Sequence, residues 1–228
     1  WQLVHGYSPL QAGVRLVPYA MTMMITAPLS ARLVERLGTK LVVTIGLTTI
    51  SVAMLVLSTL HTDSSYLRVI GNMCFMALGM ALVMAPATES VMGSLPRSKA
   101  GVGSAVNDTT RQMGGALGVA VIGSLVASVY AAGIDDVAAS FGFSGSALGD
   151  VRASLGGALK AVPGMGAAGP EFARAAKDSF VHGLSLGLRL GAVVVLAAAF
   201  VAYRFLPASA HDAVDDRVPT DLQPVAGS

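Results

Sequence analysis

Five stretches of the chain are apolar over roughly the 20 or so residues that a bilayer core requires of a helix. They run from Leu16 to Leu33, Leu41 to Leu60, Leu67 to about Leu95, from the residues after Lys99 to about Tyr130, and from Phe180 to Phe205. This pattern predicts five transmembrane helices. Pro18 falls in the first turns of its helix, where proline is tolerated, whereas Pro28 and Pro86 fall inside theirs and predict kinks. Pro207 stops the last helix. Residues 1–15 read as the end of a preceding helix and an outside turn at Gly6 to Pro9. Residues 16–130 read as four transmembrane helices, 131–179 as a long polar outside loop, 180–206 as the last transmembrane helix, and 207–228 as a disordered tail. Within the long loop, Asp150–Ala161 and Pro170–Asp178 have the pattern of short amphipathic helices, with Pro163 and Gly164 between them.

The fourth stretch organises the rest. In GVGSAVNDTTRQMGGALGVAVIGS, residues 101–124, the helical period places Ser104, Asp108, Arg111, Gly115, Gly118 and Ile122 on one face. That face is polar at its start and small further on. A charge inside the membrane costs at least about 2.5 kcal/mol, so Asp108 and Arg111 are expected to face protein. The Gly114 to Gly118 spacing allows a second helix to come close. Gly183, Gly187 and Gly191 predict a similar packing seam in the last helix, with His182, Ser185 and Arg189 on a roughly opposite face.

Composition agrees. The 228 residues are 54% hydrophobic and only 12% charged, with a mean hydropathy of +0.67. Soluble domains carry about 25% charged residues. A net charge of +2 gives no argument for a nucleic-acid partner. The single cysteine, Cys74, excludes an internal disulfide and a cysteine-based zinc site, and reads as a packing residue. The loops around Arg32, Arg36 and Lys40, and around Arg97 and Lys99, are rich in basic residues, while the turn at 61–65 has none. By the positive-inside rule those two loops and the tail are cytoplasmic, and 131–179 lies outside. The chain opens on Trp1, with no leader before its first apolar run, and reads as a piece of something longer.

Two groups of residues carry a resemblance. AGVGSAVNDTTRQMGGALGVAVIGS, with MAPATESVMGSLP before it, resembles the fourteen-helix drug:proton antiporter branch (EmrB/QacA type) of the major facilitator superfamily. GYSPLQAGVRLVPYA and APLSARLVERLGTK are similar to the same family's approach to its C-terminal half. The second contains a degenerate form of the cytoplasmic loop signature G-x-x-x-D-R-x-G-x-K/R. Ala31 replaces the first glycine and Glu35 the aspartate, while Arg36, Gly38 and Lys40 match. The resemblance implies a partial all-α major facilitator fold, helices ten to fourteen of fourteen. It also implies a partner in the missing N-terminal half, because such transporters hold substrate between two halves that rock against each other.

Glu89 is the sharpest candidate for chemistry, with Asp108 and Arg111 at similar depth on the next helix. A carboxyl group in low dielectric takes up and releases a proton as access alternates; the alternative is a permanent pair with Arg111 or contact with interfacial water. Asp108 and Arg111, spaced i and i+3, form either an intrahelical ion pair or, with Glu89, a gating network that Asn107 and Gln112 extend. Glu35, Arg36 and Lys40 either pair between helix ends or simply orient the chain. Met73, Met76, Met80 and Met84 suit either a promiscuous pocket or packing. No phosphate loop, metal-ligand cluster or nucleophile–base pair is present, so the chain is not expected to be an enzyme. The expected function is efflux of drug-like amphipathic molecules by alternating access. The proton motive force takes the place of a cofactor, and lipid and a small-molecule substrate are the other partners. The expected location is the plasma (inner) membrane, with a cytoplasmic C-terminus. Export of an endogenous metabolite or lipid, and a non-transporting membrane scaffold or sensor, are the alternatives.

Overall fold

A computed structural model describes residues 8–61, 64–93 and 96–206. The expected tail at 207–228 and the first seven residues of the expected opening segment lie outside them. All regular structure among the described residues is helical. The helices are α1 (Pro9–Arg15), α2 (Val17–Leu37), α3 (Thr39–Leu57), α4 (Tyr66–Gly93), α5 (Ala100–Ser140), α6 (Gly145–Ala153), α7 (Leu155–Ala161) and α8 (Gly169–Phe205). Short 3-10 turns lie at Arg97–Lys99, Val162–Gly164 and Gly166–Ala168.

α1 forms where the sequence predicts a turn. Ser8 Oγ accepts from the Gln11 amide at 3.2 Å, and Gln11 Oε1 accepts from the Ser8 amide at 3.2 Å. This reciprocal capping starts a helix even beside Pro9, which has no N–H to lose at a first-turn position. The four helices long and apolar enough to cross a membrane are α3, α4, α5 and α8. α2 has the length, at 21 residues, but Thr22, Thr26, Ser30 and Arg32 dilute its apolar character. Both α2 and α4 continue through their internal prolines, Pro28 and Pro86.

Five helices pack in the lateral order α2, α4, α3, α8, α5. Val42 and Ala53 of α3 and Ala77, Ala81 and Leu82 of α4 are buried. Polar groups at these contacts are satisfied: the Ser51 hydroxyl donates to the Ala192 carbonyl at 2.8 Å, and Asn72 Nδ2 donates to the Ala53 carbonyl at 2.9 Å. α5 packs chiefly on α8 and only brushes α4. In its most apolar stretch just 11% of residues are buried. One flank of the bundle is therefore a long, apolar, open helix.

The segment expected as a long loop is built differently. α5 runs on past Tyr130 to Ser140, and α8 begins at Gly169, well before Phe180. At 41 residues, α5 is about 60 Å long by the helical rise, twice a hydrocarbon core of about 30 Å. Its far end, α6, α7 and the start of α8 form a cap with its own core of Tyr130, Ile134, Val151, Leu155, Phe172 and Ala176. The expected single helix Asp150–Ala161 is two. Ser154 breaks it in an extended conformation and its side chain accepts from the Gly157 amide at 3.0 Å, starting α7. Tyr130 O–H donates to the Val151 carbonyl at 3.0 Å, and Arg152 pairs with Asp135 at 2.9 Å, which ties α6 to α5.

Candidate functional site

The degenerate signature sits at the sharp corner between α2 and α3. Gly38 is the one residue between them, with φ 79° and ψ 155°. Its N–H donates to the Val34 carbonyl at 2.9 Å and its carbonyl accepts from Val42 N at 3.3 Å. A side chain would be strained in this left-handed backbone, so the glycine is a requirement of the corner. Glu35 and Arg36 are exposed on the last turn of α2 and make no ion pair among the described residues. Lys40 is half-buried, and its ammonium lies 5.1 Å from the centroid of the Tyr203 ring. Lys40 thus meets an aromatic face rather than a carboxylate, and the start of α3 lies against the end of α8.

The other charged candidates lie on α4 and α5. Pro86 is buried and leaves the Leu82 carbonyl without its usual helical donor. Glu89 follows within one turn, about 6 Å before the end of α4, and Asp108 lies about 12 Å into α5. Glu89, Asp108, Arg111 and Gln112 are exposed and Asn107 is half-buried. None of these side chains makes a hydrogen bond or ion pair among the described residues. The i, i+3 spacing of Asp108 and Arg111 therefore does not close an intrahelical pair here. Two carboxylates and a guanidinium on adjacent helices are left open to another group, whether water, ligand or protein.

The glycine seams divide. A Cβ on Gly183 would meet the Val126 carbonyl oxygen at 2.9 Å, and one on Gly187 would meet Ile122 Cγ2 at 2.9 Å and Val126 Cγ2 at 3.0 Å. One on Gly191 would run into the Met54 terminal methyl. These three glycines seat α8 against α5 and α3. A Cβ on Gly114, Gly115 or Gly118 meets nothing within 4 Å, so that small-residue face of α5 has no helix on it among the described residues. Sequence reasoning missed a close backbone crossing, Gly46 of α3 on Gly79 of α4, where a Cβ on either would meet the other's carbonyl oxygen at 2.9 and 2.8 Å. Both glycines lie in runs without charge, and nothing in one helix marks its partner in the next.

Beside the α5–α8 seam lies an apolar groove of about 450 Å³, lined by Met54, Gly114, Leu117, Gly118, Leu190 and Val194 among others. Met73, Met76 and Met80 are half-buried, and Met80 sulfur accepts from Tyr19 O–H at 3.3 Å. Part of the methionine stripe therefore packs against α2. Among the described residues no cluster of His, Cys, Asp and Glu could hold a metal ion.

The family model described as Major Facilitator Superfamily matches residues 1–119. Among curated relatives, the multidrug efflux pump LfrA of Mycolicibacterium smegmatis is 27% identical over 201 residues, covering 88% of this chain and 39% of the relative. The multidrug resistance protein Stp of Mycobacterium tuberculosis is 29% identical, covering 97% of this chain and 43% of the relative. The tetracenomycin C resistance and export protein of Streptomyces glaucescens is 35% identical over 129 residues, covering 56% of this chain and 24% of the relative. The chain spans about two-fifths of the length of the first two.

Proposed function

The chain belongs to the Major Facilitator Superfamily, and from that premise we propose that it supplies the last five membrane helices of a proton-coupled multidrug efflux transporter. The observation that carries this reading is the open flank of α5. There Asp108 and Arg111, followed by the uncovered Gly114, Gly115 and Gly118, lie on a helix whose apolar stretch is almost wholly unburied. An uncompensated acid and arginine on a membrane helix are costly unless another element or a water-filled path faces them. The remaining, N-terminal part of the transporter closes over this flank, and Glu89 and Asp108 carry the proton in exchange for a drug-like amphipathic molecule. Arg111 alternates between the two acids, with Asn107 and Gln112 supporting it through hydrogen bonds.

In this reading the protein lies in the plasma membrane with its C-terminus in the cytoplasm. Lys40 beside Tyr203, next to Arg204, supports that arrangement, because the basic corner and the end of α8 share one end of the bundle. The cap formed by the end of α5, α6, α7 and the start of α8 then stands on the outer surface. The test is transport of a fluorescent lipophilic cation by inside-out vesicles containing the intact transporter. Uptake that requires an imposed proton gradient and collapses with a protonophore supports the proposal. Uptake that ignores the gradient refutes proton coupling.

A further inference from the structure

At the end of α3 opposite Lys40, a cavity of about 720 Å³ opens between the last turn of α3 and α8. Its lining includes Ser58, His61, Asp178, His182, Ser185 and Arg189. On α8, residues 178, 182, 185 and 189 follow at helical spacing and make one polar stripe on a helix otherwise built for lipid. The stripe lies on the face of α8 roughly opposite the Gly183, Gly187 and Gly191 seam, and it borders the cavity together with the last turn of α3 and the residues that follow it.

Arg189 is held in place but far from satisfied. Its Nε donates to Ser58 Oγ at 3.4 Å, and Ser58 Oγ itself donates to the Leu55 carbonyl at 2.7 Å. Among the described residues the guanidinium has no other partner, so the donors on its two terminal nitrogens remain for a ligand. A guanidinium fixed through Nε presents a planar fork that fits the oxygens of a phosphate. Ser185, one turn before Arg189, also has a hydroxyl without a partner among the described residues. Arginine on a helix leans toward the N-terminus, which brings its head group toward Ser185 and His182.

The depth is equally specific. α3 has 19 residues and a length of about 28 Å, close to the hydrocarbon thickness of about 30 Å. Ser58 is the residue that ends it. Arg189, bonded to Ser58, therefore sits at the level where lipid phosphates lie. Asp178 lines the same cavity eleven residues before Arg189, about 16 Å along the axis of α8. The anion is held at the Arg189 end.

We propose that this cavity is a phosphate-binding site, with Arg189 as its anchor and Ser185, His182 and His61 as further donors. The inference is independent of transport and of the fate of Glu89. The phosphate belongs either to a phospholipid head group or to a soluble phosphate, and the test separates them. The intact transporter, purified in lipid-free detergent, is titrated with phosphatidylglycerol, with diacylglycerol of the same chains, and with inorganic phosphate, and bound ligand is counted by native mass spectrometry. Phosphatidylglycerol binds and diacylglycerol does not. Arg189→Gln lowers its occupancy at least about tenfold, the worth of a charge-assisted hydrogen bond, and Arg189→Lys falls between. Displacement of the lipid by inorganic phosphate assigns the site to a soluble phosphate, and failure to displace assigns it to a head group; both support the site. If Arg189→Gln does not fold, the double variant Ser185→Ala/His182→Gln carries the test, with a several-fold loss expected. Equal binding of phosphatidylglycerol to wild type and every folded variant, or equal binding of diacylglycerol, overturns the proposal.

Discussion

The ammonium of Lys40 lies over the ring of Tyr203, 5.1 Å from its centroid, and so joins the corner between α2 and α3 to the last turn of α8. A cation–π contact of this kind contributes about 0.5–1 kcal/mol. Tyr203→Phe keeps the ring and should leave stability unchanged. Tyr203→Leu should lose about that amount in a denaturant unfolding titration, and Lys40→Met should lose a similar amount without adding to it. Additive losses would show that the two residues do not interact.

Gly38 is the most exacting position at the same corner. At φ 79° any residue with a Cβ is strained by about 1–2 kcal/mol. Gly38→Ala should lower stability by that amount, and Gly38→Asn as much, because at ψ 155° the backbone lies outside the left-handed helical region that asparagine tolerates. Wild-type stability in either variant would mean that the corner relaxes rather than strains.

The glycines of α8 should rank by what a methyl group meets. Gly183→Ala presses on a backbone carbonyl, Gly187→Ala on two side-chain methyls, and Gly191→Ala on the flexible end of Met54. Losses should fall in that order, within the 1–3 kcal/mol typical of overpacking. Gly114→Ala and Gly115→Ala meet nothing and should leave the α5–α8 contact intact. On the proposed reading these two substitutions instead weaken transport, since another part of the transporter covers them. Unfolding titrations and efflux measured on the same variants separate the two effects.

The cap should behave as a small folded unit. Tyr130→Phe leaves the Val151 carbonyl without its donor, at a cost of about 1–3 kcal/mol for a buried group. Phe172, fully buried between Phe141 and Phe143, should cost about 3–5 kcal/mol on truncation to alanine. Faster hydrogen exchange in α6 and α7, with the membrane helices unchanged, is the expected signature of Phe172→Ala. Uniform exchange across residues 141–168 in wild type, at the rate of an open loop, would contradict a folded cap.

How much of this was legible in the sequence follows from what kind of contact each feature makes. The membrane helices were readable because apolar runs and basic corners are local signals, and their ends fall within a few residues of the expected ones except where α5 and α8 extend into the cap. The cap was not readable as a unit. Its core joins Ile134, Val151 and Phe172 from three helices in a stretch rich in Gly and Ala, where each helix offers only two or three apolar residues. The Gly183, Gly187 and Gly191 seam was visible as a regular stripe, but the Gly46–Gly79 crossing was not, because Gly46 is the one glycine of α3 and Gly71, Gly79 and Gly93 of α4 do not recur at a helical four-residue spacing. The charge pattern of Glu89, Asp108 and Arg111 identified candidates without their partners. The structure leaves them exposed and without partners among the described residues, where the sequence pattern placed Asp108 and Arg111 against protein.

The most direct test of the central proposal is proton-driven efflux of a fluorescent cation by the intact transporter, with wild type compared against Glu89→Gln and Asp108→Asn at matched membrane insertion. Both substitutions remove a titratable acid with little change in shape. The account predicts that at least one of them abolishes gradient-driven efflux while the dye still binds. Wild-type efflux in both variants would contradict it and place the proton site outside this chain.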